Sequence, residues 1–117
     1  MSDIIHLGPK TDLNELCLEN PTACFFVRVA GDSMLEAGIF PNDILVIDRA
    51  LVAAQGDIVL ATYRGAFTVK ELVLRPKLSL VPHNPNYPTV MITDGDDFEV
   101  FGVVSSVVRQ LKGPFSA

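Results

Sequence analysis

Between Cys24 and Leu111 the chain is a succession of short segments rich in Val, Ile, Phe and Thr, each closed by a turn signal. They are CFFVRVA (24–30), DILVID (43–48), DIVLATY (57–63), AFTVKELVL (66–74), KLSLV (77–81), TVMI (89–92) and FEVFGVVSSVVRQL (98–111). Such side chains suit a pleated, half-buried surface, so each segment is read as a strand. Pro41-Asn42-Asp43, Gln55-Gly56-Asp57, Arg64-Gly65, Arg75-Pro76 and Asp94-Gly95-Asp96 separate them. Arg64-Gly65 predicts a tight hairpin, because glycine takes positive φ at no steric cost. The stretch VPHNPNYP carries Pro82, Pro85 and Pro88, which cannot donate to a ladder, and is read as a loop. Seven strand-like runs with little helix predict a mostly β fold, a curved antiparallel sheet or a small barrel.

The one helix expected is short and N-terminal. In TDLNELCLE (11–19), Leu13, Leu16 and Cys17 follow the i, i+3, i+4 spacing of an amphipathic helix. Asp12 can cap its start with Glu15 completing a box, and Asn20-Pro21 ends it. Residues 1–10 lack a period and are broken by Gly8-Pro9, so they are expected to form a flexible N-terminal arm. Residues 11–112 are expected to form a single domain, and 113–117 a frayed tail. A chain of 117 residues has room for one ordinary core.

Charge and composition exclude several functions. A net charge of −5 repels phosphate, so no direct binding to duplex DNA is expected. The apolar runs are too short to span a membrane. MSDIIHLGPK has no signal-peptide core, and a cytoplasmic location is expected. Cys17 and Cys24 are read as buried, unpaired thiols, a disulfide being the alternative without a secretory context. His6 and His83 lie far apart and no Cys/His cluster has ligand spacing, so neither a metal nor another cofactor is assigned. Phe25, Phe26, Phe98 and Phe101 are read as packing residues of the core or of a dimer face.

The stretch GDSMLEAG (31–38) admits two chemistries. Ser33-x-x-Glu36 is a capping box, and Gly38 suits the end of a single helical turn. The local pattern favours the cap; a nucleophile is the sharper reading, and Lys70 is the residue that could activate it. Alternation along AFTVKELVL puts Thr68, Lys70, Leu72 and Leu74 on one face. A solvated lysine on an edge strand accounts for this pattern. So does an amine held in an apolar setting, where desolvation disfavours the charged form and the neutral amine takes a proton from a serine hydroxyl. That pair needs no histidine.

VRVAGDSMLEAGIFPNDILVIDRA followed by GDIVLATYRGAFTVKEL resembles the self-cleaving Ser-Lys domain shared by LexA, phage repressors and the UmuD mutagenesis proteins. The resemblance runs from about Asp12 to Leu111 and includes the 37-residue spacing from Ser33 to Lys70. DLNEL, NPTACFFVRVAGDSM, LRPKLSLVPHNPNYP and DDFEVFGVVSSVV bring it nearest the UmuD branch. It implies a LexA-type, mostly β domain that forms homodimers, with Ser33 as nucleophile and Lys70 as general base of a serine endopeptidase. The backbone N–H groups of Ser33 and Met34 would be the oxyanion donors, with Gly31 allowing a close turn and Asp32 shaping it. The implied role is that of an accessory subunit of an error-prone translesion polymerase in the SOS DNA-damage response. Its implied partners are a Y-family (UmuC-like) polymerase subunit and the RecA filament on single-stranded DNA. Family members cut themselves at an Ala-Gly or Cys-Gly bond that, counted back from Ser33, falls at or just before Met1. Ala30-Gly31 and Ala37-Gly38 lie within the nucleophile region itself. The chain is therefore expected to resemble the cleaved form, with an intact dyad and no cleavage bond of its own. The alternative is a peptidase that cuts a partner's arm in trans, or itself within a longer precursor.

Overall fold

A computed structural model describes residues 4–8 and 23–112. The predicted runs become strands with ends trimmed by up to three residues: β2 (Cys24–Val29), β3 (Ile44–Asp48), β4 (Ile58–Tyr63), β5 (Ala66–Val73), β6 (Ser79–Val81), β7 (Val90–Met91) and β8 (Phe98–Val108). The arm expected over 1–10 is structured in part, since Ile4–Gly8 is a further strand, β1, with Ile4 opposite Val29 of β2. The predicted helix over 11–19 lies outside the described residues. Cys24, expected as a free thiol, is buried and disulfide-bonded; Cys17 lies outside the described residues.

All pairings are antiparallel, in the order β1-β2-β3-β8-β4-β5-β6-β7. The β4–β5 hairpin turns on Arg64 (φ 50°) and Gly65 (φ 82°), with Tyr63 opposite Ala66. Positive φ at both central residues gives the turn a twist that matches its strands. The sheet is strongly curved because β8 slips register twice. Against β3 the pairing jumps from Val46↔Ser106 to Ile47↔Val104, and against β4 from Leu60↔Gly102 to Ala61↔Val100. Each slip leaves one extra residue on β8, Ser105 and Phe101, and such bulges bend a strand and deepen its twist. The curl brings β1 back within reach of β5.

Period-2 alternation then divides the core. Every residue of β3 is buried. Leu45 and Ile47 join Val27, Val29, Leu60 and Val69, whereas Ile44 and Val46 pack with Cys24 and Phe26 on the other face. Val59, Ala61, Leu72, Leu80 and Val103 form a third cluster under the β4–β6 end. Each fully buried side chain of this kind contributes about 1.5–3 kcal/mol. Phe26 is a core residue, and Phe25 packs edge-to-face on Phe101 at 5.3 Å.

At Gly102 β8 passes close against β3. A Cβ there would lie 2.7 Å from Ile47 Cγ2 and 3.2 Å from the Asp48 carbonyl oxygen. Gly102→Ala should therefore destabilise the domain by about 1–3 kcal/mol, the usual cost of overpacking. A thermal melt measures this, and an unchanged Tm would contradict the close approach.

Candidate active site

The chain leaves β2 at Val29 and enters β3 at Ile44, and the loop between them is closed at its base. Val29 N–H donates to Asp43 O at 2.9 Å, and Asn42 N–H donates to Val29 O at 2.8 Å. Within the loop, Leu35–Ala37 form one 3-10 turn, ended by Gly38 (φ 82°), whose N–H reaches Leu35 O as predicted for this glycine. Met34 and Ile39 bracket the turn, and both belong to the core cluster of Val27, Leu45 and Leu60. Apolar burial therefore anchors the turn on both sides.

The capping box expected of Ser33 and Glu36 does not form. Met34 is the N-cap residue and no side chain caps the turn. The donor that a Ser33 cap would satisfy, the Glu36 N–H, is already bound to His83 O at 2.8 Å. The Ser33 hydroxyl instead meets Lys70, Nζ to Oγ 2.9 Å. Ser33 is 4% exposed and Lys70 8%, so the contact is shielded from water.

Lys70 stands on β5 directly opposite Val59 of β4, beside buried Leu72. Thr68, two residues earlier and on the same face, accepts a second hydrogen bond from Nζ at 2.5 Å. An amine in an apolar wall is costly unless its hydrogen bonds are met, and two hydroxyls meet it here. Of the two placements open for this lysine in the sequence, the buried one is observed. An open pocket of about 180 Å³ adjoins the amine, lined by Tyr63, Phe67, Thr68, Leu80, Tyr87 and Val90 among others.

Three residues of the proline-rich loop complete the arrangement. His83 N–H donates to Ser33 O at 2.9 Å, and Asn84 Nδ2 donates to Asp32 O at 2.8 Å. Tyr87 Oη bonds the Asp32 carboxylate. The His83 ring is held by Glu71, Nε2 to Oε1 2.7 Å. Loop 82–87 is thus a strap across the turn that carries Ser33. Nothing in its sequence beyond the prolines marks it as part of a site, since its partners lie some fifty positions earlier in the chain. Asp32 shapes the turn, as expected, through its carbonyl and carboxylate. Among the described residues no group of three or more His, Cys, Asp or Glu side chains is placed to hold a metal ion.

The Peptidase S24-like family model matches residues 3–105. The chain belongs to the Peptidase S24-like family. It is similar to the protein SamA of Salmonella typhimurium, 45% identical over 103 residues that cover 88% of this chain and 71% of SamA. It is 43% identical to the protein MucA of Escherichia coli over 97 residues, 82% of this chain and 66% of MucA. It is 36% identical to LexA repressor 2 of Pseudomonas syringae pv. tomato, over 89% of this chain and 54% of that repressor. Within the Peptidase S24-like family the chain thus stands with the UmuD-like members and somewhat further from a LexA repressor.

The turn that carries Ser33 is also clamped at its far end. Asp43, 1% exposed, receives Arg109 Nε and Nη2, each at 2.7 Å, and the Phe40 N–H at 2.8 Å. Arg109 Nη2 also reaches Gly38 O at 2.9 Å, and its guanidinium stacks 4.3 Å from the Phe40 ring. Burial pushes the Asp43 carboxyl up. The Arg109 and Phe40 hydrogen bonds and the Arg109 charge outweigh it and hold the carboxyl below its ordinary value of 3.8. A depressed folded-state pKa contributes stability that is present above pH 3.8 and lost as pH falls towards the folded value. Asp43→Asn should therefore be less stable than the native chain at neutral pH and lose less on acidification. Urea titrations at a series of acidic pH values check this, and equal acid slopes for the two proteins would contradict it.

Proposed function

We propose that this chain is a UmuD-like serine endopeptidase domain in which Ser33 is the nucleophile and Lys70 the general base. The observation that carries the reading is the shielded 2.9 Å contact between Lys70 Nζ and Ser33 Oγ. The capping role that competes for that hydroxyl is filled by His83 O. Lys70 takes the hydroxyl proton as Oγ bonds to the carbonyl carbon of the peptide, giving a tetrahedral oxyanion. The N–H groups of Ser33 and Met34 face that oxyanion. The turn's own hydrogen bonds are donated by Ala37, Gly38 and Ile39, and the bond to the strap by Glu36, rather than by these two. Collapse breaks the C–N bond, and Lys70 gives its proton to the leaving amine. Water then attacks the acyl group, Lys70 accepts its proton, and loss of the carboxylic acid returns that proton to Ser33. Thr68 holds the amine in line throughout by its hydrogen bond.

A full-length UmuD-like relative whose own nucleophile is replaced by alanine is a suitable substrate in trans. The native chain should cut it, and Ser33→Ala and Lys70→Ala should slow the cut by at least about 10³-fold. Equal cutting by all three chains, followed on a gel, would remove the dyad from the reaction.

The resemblance to UmuD proteins and the similarity to SamA and MucA support a wider role. In it a homodimer of this chain serves as accessory subunit of an error-prone Y-family (UmuC-like) polymerase in the DNA-damage response, and the RecA filament on single-stranded DNA promotes the peptidase step. An acidic domain that binds no duplex itself would reach DNA through these partners. Co-purification with the cognate polymerase subunit is the expected result; no association over a range of salt concentrations would overturn this role and leave the peptidase reading standing.

A further inference from the structure

The two proposed oxyanion donors are backbone groups, and no side-chain rotamer can aim them. Each belongs to a planar peptide unit, so its direction follows from where the carbonyl of the same unit is held. Among the described residues the one cis bond is Arg75-Pro76, so both units are trans and their N–H and C=O point opposite ways. The Ser33 N–H shares its plane with the Asp32 carbonyl, which accepts Asn84 Nδ2 at 2.8 Å. The Met34 N–H shares its plane with the Ser33 carbonyl, which accepts the His83 N–H at 2.9 Å. Neighbouring residues of one strap therefore hold the back of both units and turn both donors away from it. A hydrogen bond at the carbonyl also polarises the unit and strengthens its N–H as a donor.

Asn84 is itself fixed from several directions. It is 8% exposed, its Oδ1 accepts the Asn86 N–H at 2.9 Å, and its carbonyl accepts the Tyr87 N–H at 3.1 Å. Tyr87 returns to the same place, its hydroxyl bonded to the Asp32 side chain. A buried amide with both ends used is a stiff support.

We propose that Asn84 is a positioning residue of the peptidase reaction, holding the Asp32–Ser33 peptide unit so that the Ser33 N–H is aimed at the oxyanion. The proposal rests on the Ser33–Lys70 reading. It predicts a defect confined to the transition state: the substrate is bound as before, and the tetrahedral species is held less well.

The test uses Asn84→Ala and Asn84→Asp. The aspartate keeps Oδ1 for the Asn86 N–H and so keeps the strap's own bonds, while it removes the donor to Asp32 O. Against the nucleophile-free relative as substrate, both variants should lose about 10–100-fold in kcat with KM changed by less than about twofold. Affinity for a peptidyl alanine boronic acid, which forms a tetrahedral adduct on serine, should fall by the same factor as kcat, measured by titration calorimetry. Should Asn84→Ala melt at the assay temperature, Asn84→Asp decides alone. Native kcat and native boronate affinity in a folded variant would overturn the proposal while leaving the dyad intact. A native chain that does not cut, or that cuts equally well with Lys70→Ala, would instead overturn the dyad reading beneath it.

Discussion

The amine of Lys70 sits in the wall of a β core, and the rest of the site follows from the need to satisfy it there. Its strand neighbours are Val59 across the β4–β5 ladder and Leu72 two residues on, both buried. A polar nitrogen in such a place costs free energy in either protonation state unless acceptors are delivered to it. One acceptor is local, since Thr68 lies on the same face of the same strand. The other comes from 37 residues away, as Ser33 on the β2–β3 connection. The dyad contact is therefore both the proposed chemistry and a structural requirement of the β5 strand.

Delivering Ser33 means holding a loop against a sheet, and the molecule does so with three different forces. Met34 and Ile39 bury apolar surface in the main core cluster and fix the depth of the turn. The Asp43–Arg109 pair secures its far end, tying Gly38 O and the Phe40 ring to the residue that follows β8. The strap secures its near end through backbone and side-chain bonds to Asp32, Ser33 and Glu36. Each restraint acts on a different stretch of the loop. The curvature that brings strap and clamp to one loop comes from the two bulges of β8.

What could be read in the sequence and what could not divide along physical lines. The seven strands were legible because β-branched and aromatic runs and Gly/Pro/Asn turns are local signals. Their order was not, since β8 between β3 and β4 is a long-range pairing that no local pattern encodes. Ile4–Gly8 read as an arm because a short strand at a sheet edge needs little of its own periodicity and borrows its register from β2. The contact between Ser33 and Lys70 was open to expectation through their residue types and spacing, and the two side chains do meet. Asn84 and Arg109 were not legible, because an asparagine in a proline-rich loop and an arginine near a terminus are ordinary surface residues until the fold shows what they touch.

The motif that admitted two readings shows why both were reasonable. Ser33-x-x-Glu36 has the residue types of a capping box, and a helical turn does begin next to it. A capping box requires the serine hydroxyl to accept the N–H three residues on. In this fold that N–H belongs to Glu36 and is taken by the carbonyl of His83, a bond between two backbones that no side chain can displace without lifting the strap. With its local partner occupied, Ser33 Oγ is free to turn toward β5 and satisfy the buried amine. A serine engaged in capping would direct its hydroxyl along its own turn and deprive Lys70 of this acceptor. The strap that holds the peptide units around Ser33 is thus also what releases the hydroxyl, so the backbone support and the side-chain placement are set by the same two residues, His83 and Asn84.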